Sequence, residues 1–150
     1  MRDEKLANLF KVILFFQINF LLKNLGGKSF VEVAEKLGVA DTGLSWSSGF
    51  TDMNGDGFPD IYIAHDFGLD KIYKNNGGQG FEDITRNLVG LQATRNGMNA
   101  EFGDFDHLGQ SGAYVTNVSK MGSQRGSNLL WRPDGKGNFR NSAYKMGVDR

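Results

Sequence analysis

Residues 52–60 read Asp-Met-Asn-Gly-Asp-Gly-Phe-Pro-Asp, and the apolar run Ile-Tyr-Ile follows at 61–63. Counted from Asp52, side-chain oxygens stand at positions 1, 3, 5 and 9, and a backbone carbonyl is available at position 7. Side chains at this spacing converge on one point in a tight loop, and oxygen ligands suit a hard cation, most naturally Ca²⁺. The glycine at position 6 permits the sharp turn that such a loop needs. The pattern predicts a calcium loop with ligands from Asp52, Asn54, Asp56, Phe58 and Asp60.

Two helical alternatives begin with the same residues. An EF-hand needs a bidentate Glu at position 12, where this chain has Ile63, and the segment that follows is typical of a strand. The same residue argues against a dockerin-type loop, which resembles an EF-hand. A plain turn rich in Asp, Asn and Gly remains the alternative to a metal loop.

Composition limits the class of protein. The chain has 150 residues, enough for one ordinary domain, and its 17 basic and 17 acidic residues cancel. A neutral chain has no global field to recruit nucleic acid or an anionic membrane. With 21 Gly, 12 Phe and only 2 Pro, the sequence favours short strands joined by tight turns. The absence of Cys excludes disulfides, thiolate metal sites and cysteine nucleophiles.

The chain contains an internal repeat. Residues 24–34 align with residues 75–85 and, more weakly, with residues 133–143, so the anchoring phenylalanines are 51 and 58 residues apart. The loop repeats too, because residues 50–52 match residues 102–104 at a spacing of 52. Two independent landmarks with nearly the same period indicate a repeat architecture.

Each repeat is predicted to be β throughout. Strands are expected at residues 45–51, 61–64, 71–74 and 81–84, and four strands in about fifty residues are typical of a propeller blade. Residues 30–37 also show helical spacing, but the strand interpretation is preferred because the matching segments read as strands. We therefore predict an all-β fold, a partial propeller of two to three four-stranded blades.

The N-terminal segment, residues 1–19, is left unassigned, and residues 20–150 are assigned to the repeats. A signal peptide would have a basic start and would be followed by a small-residue cleavage site. This segment starts with mixed charge, and no such site follows it. Its apolar stretch is too short to span a bilayer, so no membrane span is expected.

The order of loop, Tyr73-Lys74-Asn75-Asn76-Gly77 and Phe81-Glu82-Asp83-Ile84-Thr85 resembles the FG-GAP or VCBS-type repeat of integrin α-chain propellers. It is most similar to a bacterial branch that often carries an additional ASPIC/UnbV domain. The resemblance covers about residues 20–150 and implies a β-propeller in which each loop holds Ca²⁺. It further implies side-chain ligation by Asp52, Asn54, Asp56 and Asp60, with Phe58 offering its carbonyl.

The second loop departs from this pattern. Asp104 and Asp106 keep positions 1 and 3, but Leu108 and Gly112 replace the carboxylates of positions 5 and 9. Ca²⁺ prefers six to eight oxygens, so tight binding is not expected there. Because three periods do not close a propeller, the chain is also expected to be part of a larger propeller.

No catalytic constellation is evident. His65 and His107 are expected to be solvated, and a basic set is expected to lie on the solvated surface: Arg86, Arg95, Lys120, Arg125 and Arg132. Residues 77–80 read as a hairpin turn and not as a phosphate cradle. The aromatic residues at blade positions are assigned to the core, although Trp46 and Trp131 could instead line a sugar-binding face: Trp46, Phe50, Phe81, Phe102, Trp131 and Phe139.

These observations favour a non-catalytic, calcium-stabilised propeller segment for extracellular binding or adhesion, with a protein or carbohydrate as ligand. Millimolar extracellular Ca²⁺ would fill a site of modest affinity. The alternative is part of a propeller enzyme whose active residues lie outside this chain.

Overall fold

The computed structural model describes residues 18–89, 96–118 and 128–149, and the chain in these ranges is mainly β. The strands before the second loop are β1 Leu22–Asn24, β2 Phe30–Glu32, β3 Leu44–Thr51, β4 Asp60–Asp66, β5 Lys71–Asn75, β6 Phe81–Asp83, β7 Leu88–Val89 and β8 Gly97–Gly103. Those after it are β9 Gly112–Asn117, β10 Leu129–Pro133 and β11 Phe139–Asn141. Residues 1–17 of the unassigned N-terminal segment lie outside the described residues, and so do three of the basic residues expected on the surface: Arg95, Lys120 and Arg125.

Three sheets follow one another along the chain. The antiparallel pair β1–β2 forms the first, and the meander β3-β4-β5-β6 forms the second. The third has the order β7-β11-β10-β9-β8, in which the short strand β7 joins the outer strand β11 in parallel. The residues that leave the second sheet therefore extend the third, as expected for consecutive blades. This confirms the predicted all-β, propeller-like fold.

A helical turn follows the last strand of each repeat. Helix α1 spans Ala34–Leu37, a 3-10 turn spans Thr85–Asn87, and helix α2 spans Ala143–Met146. The preference for a strand over residues 30–37 was therefore right for Phe30–Glu32 and wrong for the four residues of α1. A backbone N–H···O bond from Leu37 to Val33 (2.9 Å) closes this turn, and Gly38 ends it with a φ of 81°.

The second sheet is covered on both faces. Six consecutive residues of β4, from Asp60 to His65, are buried, which a strand achieves only with a packed layer on each side. Ile61 and Ile63 pack with α1, whereas Tyr62 and Ala64 pack against the third sheet. The two cores are therefore interfaces between successive repeats.

The predicted strands of the central repeat agree with the structure to within two residues at each end. β3 begins at Leu44, β4 extends to Asp66, and β6 ends at Asp83. No helix in the described ranges has the length and hydrophobicity needed to cross a membrane.

Candidate metal loop

The loop between β3 and β4 is organised by Asp52. The backbone N–H groups of Gly55 and Gly57 donate to its two carboxylate oxygens at 2.8 and 2.7 Å. Gly55 and Gly57 have φ angles of 79° and 86°, a left-handed conformation that side-chain-bearing residues adopt at a cost. The two glycines thus allow the chain to wrap around the carboxylate.

Asn54 and Asp56 form the outer part of the loop. The N–H of Asp56 donates to Asn54 Oδ1 at 2.9 Å, and the N–H of Phe58 donates to Asp56 Oδ1 at 3.0 Å. Asn54 Nδ2 also donates to Asp56 Oδ2 at 3.0 Å. Together with Asp52, these two residues form one short loop that hydrogen bonds from backbone and side chains hold together.

Asp60 lies beneath the loop and is buried. The N–H of Met53 donates to its Oδ2 at 3.0 Å, and the N–H of Asn75 donates to its Oδ1 at 2.9 Å. Burial raises the pKa of Asp60, and the negative charges of Asp56 and Asp52 add to that rise, while the two backbone donors oppose it. Asp60 therefore ties the start of the loop to β5 at an electrostatic cost.

Asn75 supports the loop from β5, although it lies outside the predicted set of ligands. Its Nδ2 donates to the carbonyl of Pro59 at 2.9 Å, and its Oδ1 accepts from the N–H of Gly78 at 2.7 Å. It therefore connects the metal loop to the neighbouring hairpin turn. A signal was available, because Asn24 repeats the position and accepts from Gly27 at 2.6 Å in the same way.

Phe58 lies on the exposed side of the loop. Its ring is partly exposed and lies near Gly77 of the β5–β6 turn. The structure thus places the residue expected to offer a carbonyl at the boundary between the loop and solvent.

The loop carries negative charge that no described cation opposes. None of Asp52, Asp56 and Asp60 forms an ion pair with a described Lys, Arg or His side chain. The donors are all oxygens, and their chemistry fits a hard dication such as Ca²⁺. In the described ranges, however, no three His, Cys, Asp or Glu side chains already converge into a cluster that could hold a metal. The fit is therefore one of donor type and charge.

The second loop has the same backbone frame. The N–H groups of Leu108 and Gly109 donate to the two oxygens of Asp104 at 2.9 and 2.8 Å. These bonds lower the pKa of Asp104, with the Gly109 donor contributing most. The loop therefore keeps its first turn without a complete set of ligands.

Its second carboxylate is neutralised by the protein itself. Arg132 Nε donates to Asp106 Oδ2 at 2.7 Å, and a second guanidinium nitrogen contacts Asp106 Oδ1. A two-pronged contact of this kind is the strong form of the Arg–carboxylate pair. Arg132 was expected on the solvated surface, which is wrong, because β10 holds it partly buried beside the loop.

The ninth position of the second loop, Gly112, has no room for a side chain. A Cβ at this residue would overlap the carbonyl oxygen of Trp131, and the ring of Phe105 lies 3.1 Å from the same point. The space that Asp60 fills in the first loop is thus occupied in the second by the main chain and an aromatic ring.

The two histidines differ in their surroundings. His107 is exposed, as expected, but His65 is buried at 3% exposure within β4, so the expectation of a solvated residue was wrong. His65 Nδ1 lies 2.8 Å from the carbonyl of Leu69, and Nε2 lies 3.1 Å from Asp41 Oδ2. The ring also packs where a side chain at Gly43 would stand. His65 therefore has a packing role between two chain segments.

A buried polar chain links the second and third sheets. Tyr62 donates its hydroxyl proton to Asp70 Oδ2 at 2.6 Å and accepts from Trp131 Nε1 at 3.0 Å. Burial raises the pKa of the Tyr62 hydroxyl far above its usual value, and the Asp70 carboxylate raises it further. No sequence motif indicated this contact, because its ends lie 69 residues apart.

The aromatic residues divide into buried and exposed sets. Trp131, Phe139 and the partly buried Phe102 pack in the core between the second and third sheets, and Phe81 packs in the other core. Trp46 and Phe50 are 60% and 58% exposed, so their assignment to the core was wrong.

Trp46 lies at the irregularity in the β3–β4 register between Ser45 and Ser47, where a bulge turns a side chain outward. Trp46 and Phe50 line a groove of about 450 Å³.

The comparison with protein families agrees with this architecture. Residues 52–109 match the FG-GAP-like repeat, from the first ligand position of the first loop to Gly109 in the second. This segment of the chain is therefore similar to an FG-GAP-like repeat, in agreement with its β-rich, propeller-like fold. No curated protein matches the chain.

Proposed function

We propose that the loop at residues 52–60 binds Ca²⁺ and that the ion stabilises the β3–β4 hairpin within the propeller-type repeat. Asp52, Asn54, Asp56 and Asp60 would hold the ion through side-chain oxygens, and Phe58 would contribute its carbonyl. The bound dication would neutralise the charge that the loop concentrates.

The observation that carries this proposal is the different charge balance of the two loops. Asp106 in the second loop has Arg132 as its counter-ion, whereas Asp52, Asp56 and Asp60 pair with no described cationic side chain. The first loop thus carries three acidic side chains on nine residues, a charge that favours the capture of a divalent cation.

We also propose that the segment acts by binding, outside cells, to a protein or carbohydrate ligand. Extracellular calcium modules work with dissociation constants of about 0.1–1 mM, which fits a loop with few preorganised ligands. The exposed Trp46 and Phe50 beside the groove support a contact surface on β3. His65 is buried, with its ring nitrogens beside the Leu69 carbonyl and Asp41 Oδ2, which supports a packing role over a catalytic one.

Calcium titration followed by thermal melting tests the metal site. Free Ca²⁺ at ten times the dissociation constant should stabilise the fold by about 1.4 kcal/mol and raise its melting temperature by about 4 °C. Asp56→Ala should abolish most of this increase, because it removes an exposed carboxylate whose contacts are confined to the loop.

Asp106→Ala is the matched control, since it removes a carboxylate from the second loop, where no calcium site is proposed. The Ca²⁺-dependent increase should survive in this variant, even though loss of the Arg132 pair lowers stability throughout. An unchanged melting temperature of the wild-type protein across the titration would refute the metal proposal.

A further inference from the structure

The contact between the first and second repeats defines an interface that the chain can build. Helix α1 and the residues after it pack on the second sheet, where Ala34 and Val39 join a core with Ile61, Ile63 and Tyr73. Val39 is 3% exposed in this setting. A turn of sequence Ala-Glu-Lys-Leu-Gly-Val thus covers the face of the following sheet.

The backbone of that turn, which ends at Gly38, fits closely against the sheet that it covers. A Cβ at Gly38 would lie 3.0 Å from the carbonyl oxygen of Phe81, and one at Gly80 would lie 3.5 Å from the carbonyl oxygen of Leu37. The turn therefore meets the start of β6 directly, main chain against main chain.

Residues 143–148, the C-terminal turn, repeat this structure. The N–H of Val148 donates to the carbonyl of Ala143 at 3.0 Å, as the N–H of Val39 donates to that of Ala34 at 2.9 Å. Gly147 ends the turn with a φ of 71° and a ψ of 23°, against 81° and 24° at Gly38. The two turns thus share one backbone conformation and one pattern of small and apolar residues.

The C-terminal turn differs from the first in that no described sheet packs against it. Val148 is 37% exposed where Val39 is 3% exposed, and Met146 is also exposed. A Cβ at Gly147 would meet no other atom within 4 Å, whereas Gly38 stands against Phe81. Among the described residues, the C-terminal turn is therefore the turn half of this interface, and no sheet face packs on it.

The other half is uncovered at the opposite end of the described chain. Leu22 of β1 is 58% exposed, whereas the equivalent residues Tyr73 and Trp131 are 4% and 0% exposed. Phe30 of β2 is 65% exposed, whereas its equivalent Phe139 is 2% exposed. Leu22 and Phe30 form the N-terminal face, which is the first-sheet counterpart of the face that α1 covers on the second sheet.

We propose that copies of this chain associate head to tail, with the C-terminal turn of one copy packed on the N-terminal face of the next. The contact would repeat the α1-on-sheet packing that the chain already makes internally. Two copies would bring together four sheets of four or five strands and two strand pairs, within the range of about four to eight blades in closed propellers, so the expected species is a dimer.

The molar mass in solution tests this proposal on the full chain in Ca²⁺-containing buffer, by light scattering and sedimentation. The wild-type protein should have twice the mass of one 16.6 kDa chain, or a higher multiple. Val148→Asp and Phe30→Asp should each raise the dissociation constant at least about tenfold, because each puts a charge into the apolar contact. Both positions are solvent-accessible in one copy, so circular dichroism should show that the variants fold.

Mixing the two variants distinguishes head-to-tail from face-to-face contact. The Val148→Asp chain keeps its N-terminal face, and the Phe30→Asp chain keeps its C-terminal turn, so the mixture should regain a species of two chains through one intact contact. Tyr144→Asp is the matched control and should leave the mass unchanged, because Glu35 is exposed at the equivalent place.

Three results would overturn the proposal. A monomeric wild-type protein would show that the C-terminal turn of one copy does not pack on the N-terminal face of another. Loss of association in Phe30→Asp but not in Val148→Asp would indicate contact between two N-terminal faces. A mixture that stays monomeric would exclude the head-to-tail contact.

Discussion

Single residues distinguish the two loops. Asp60 and Gly112 occupy equivalent positions, yet the first is a buried carboxylate held by two backbone donors and the second lies where a Cβ would meet the Trp131 carbonyl. The chemistry of the neighbours thus decides what the ninth position can hold. The neighbours of Asp106 likewise decide its role, because Arg132 from the distant strand β10 supplies its countercharge.

Tyr62 joins two repeats through a buried polar contact. Tyr62→Phe should lower the free energy of unfolding by about 1–3 kcal/mol, because it removes a bond to Asp70 and leaves the buried Trp131 Nε1 without its acceptor. Chemical denaturation of both proteins measures the difference.

Tyr114→Phe is the control for this substitution. Its hydroxyl also makes two hydrogen bonds, to Val148 and Asn128, but in a more accessible place where water can replace them. If the two variants lost the same free energy of unfolding, burial of the Tyr62–Trp131 hydrogen bond would carry no extra cost, which would contradict the prediction.

At the scale of elements, the β5–β6 hairpin is stabilised by an ion pair across its strands. Lys71 Nζ donates to Asp83 Oδ2 at 2.8 Å, and the two residues lie on opposite strands in the ladder. Burial alone would raise the pKa of Asp83, but hydrogen bonds from Lys71 and Thr85 outweigh it and lower that pKa. The folded state therefore favours the ionised carboxylate.

The pKa of the Asp83 carboxyl is lower in the folded protein than its unfolded value of 3.8, so ionisation of Asp83 stabilises the folded state. This stabilisation is complete above the unfolded pKa and is lost as the pH falls through the folded pKa. Lys71→Met should lower stability at pH 7 by less than about 1 kcal/mol, since both groups are partly solvated. The gap between the variant and wild type should close in strongly acidic solution. Thermal melting across this range measures the effect.

Lys74→Met provides the comparison, because it removes the same charge from the same strand and Lys74 forms no ion pair with a described residue. If this variant showed the same pH-dependent gap, net charge and not the Asp83 pair would be responsible.

At the scale of the whole molecule, stability should be highest in the sheet that is covered on both faces. Hydrogen exchange should be slowest for the amides of β4, which lies between the two cores. It should be fastest for β1 and β2, every residue of which is exposed. Exchange followed by mass spectrometry measures this order.

Self-association would change this order in a defined way. Protection of β2 should rise with protein concentration if the C-terminal turn of another copy covers Phe30, whereas β4 should not respond. Calcium should act separately, on the β3–β4 hairpin. Equal protection in β1 and β4 at every concentration would contradict the two-core description.

The amino-acid sequence by itself determined the loops, the strands and their repetition. Loop geometry depends on Gly55 and Gly57 and on carboxylates a few residues away, and strand patterns depend on nearest neighbours, so both can be read locally. Only the tertiary structure decided which side chains are buried and which charges are paired. Trp46 is exposed through a bulge, His65 is enclosed, and Arg132 reaches Asp106 from 26 residues away, because burial and charge pairing depend on segments that are distant along the chain. For the loop at residues 52–60, the sequence supplied the oxygens, and the fold left them without a described counter-ion.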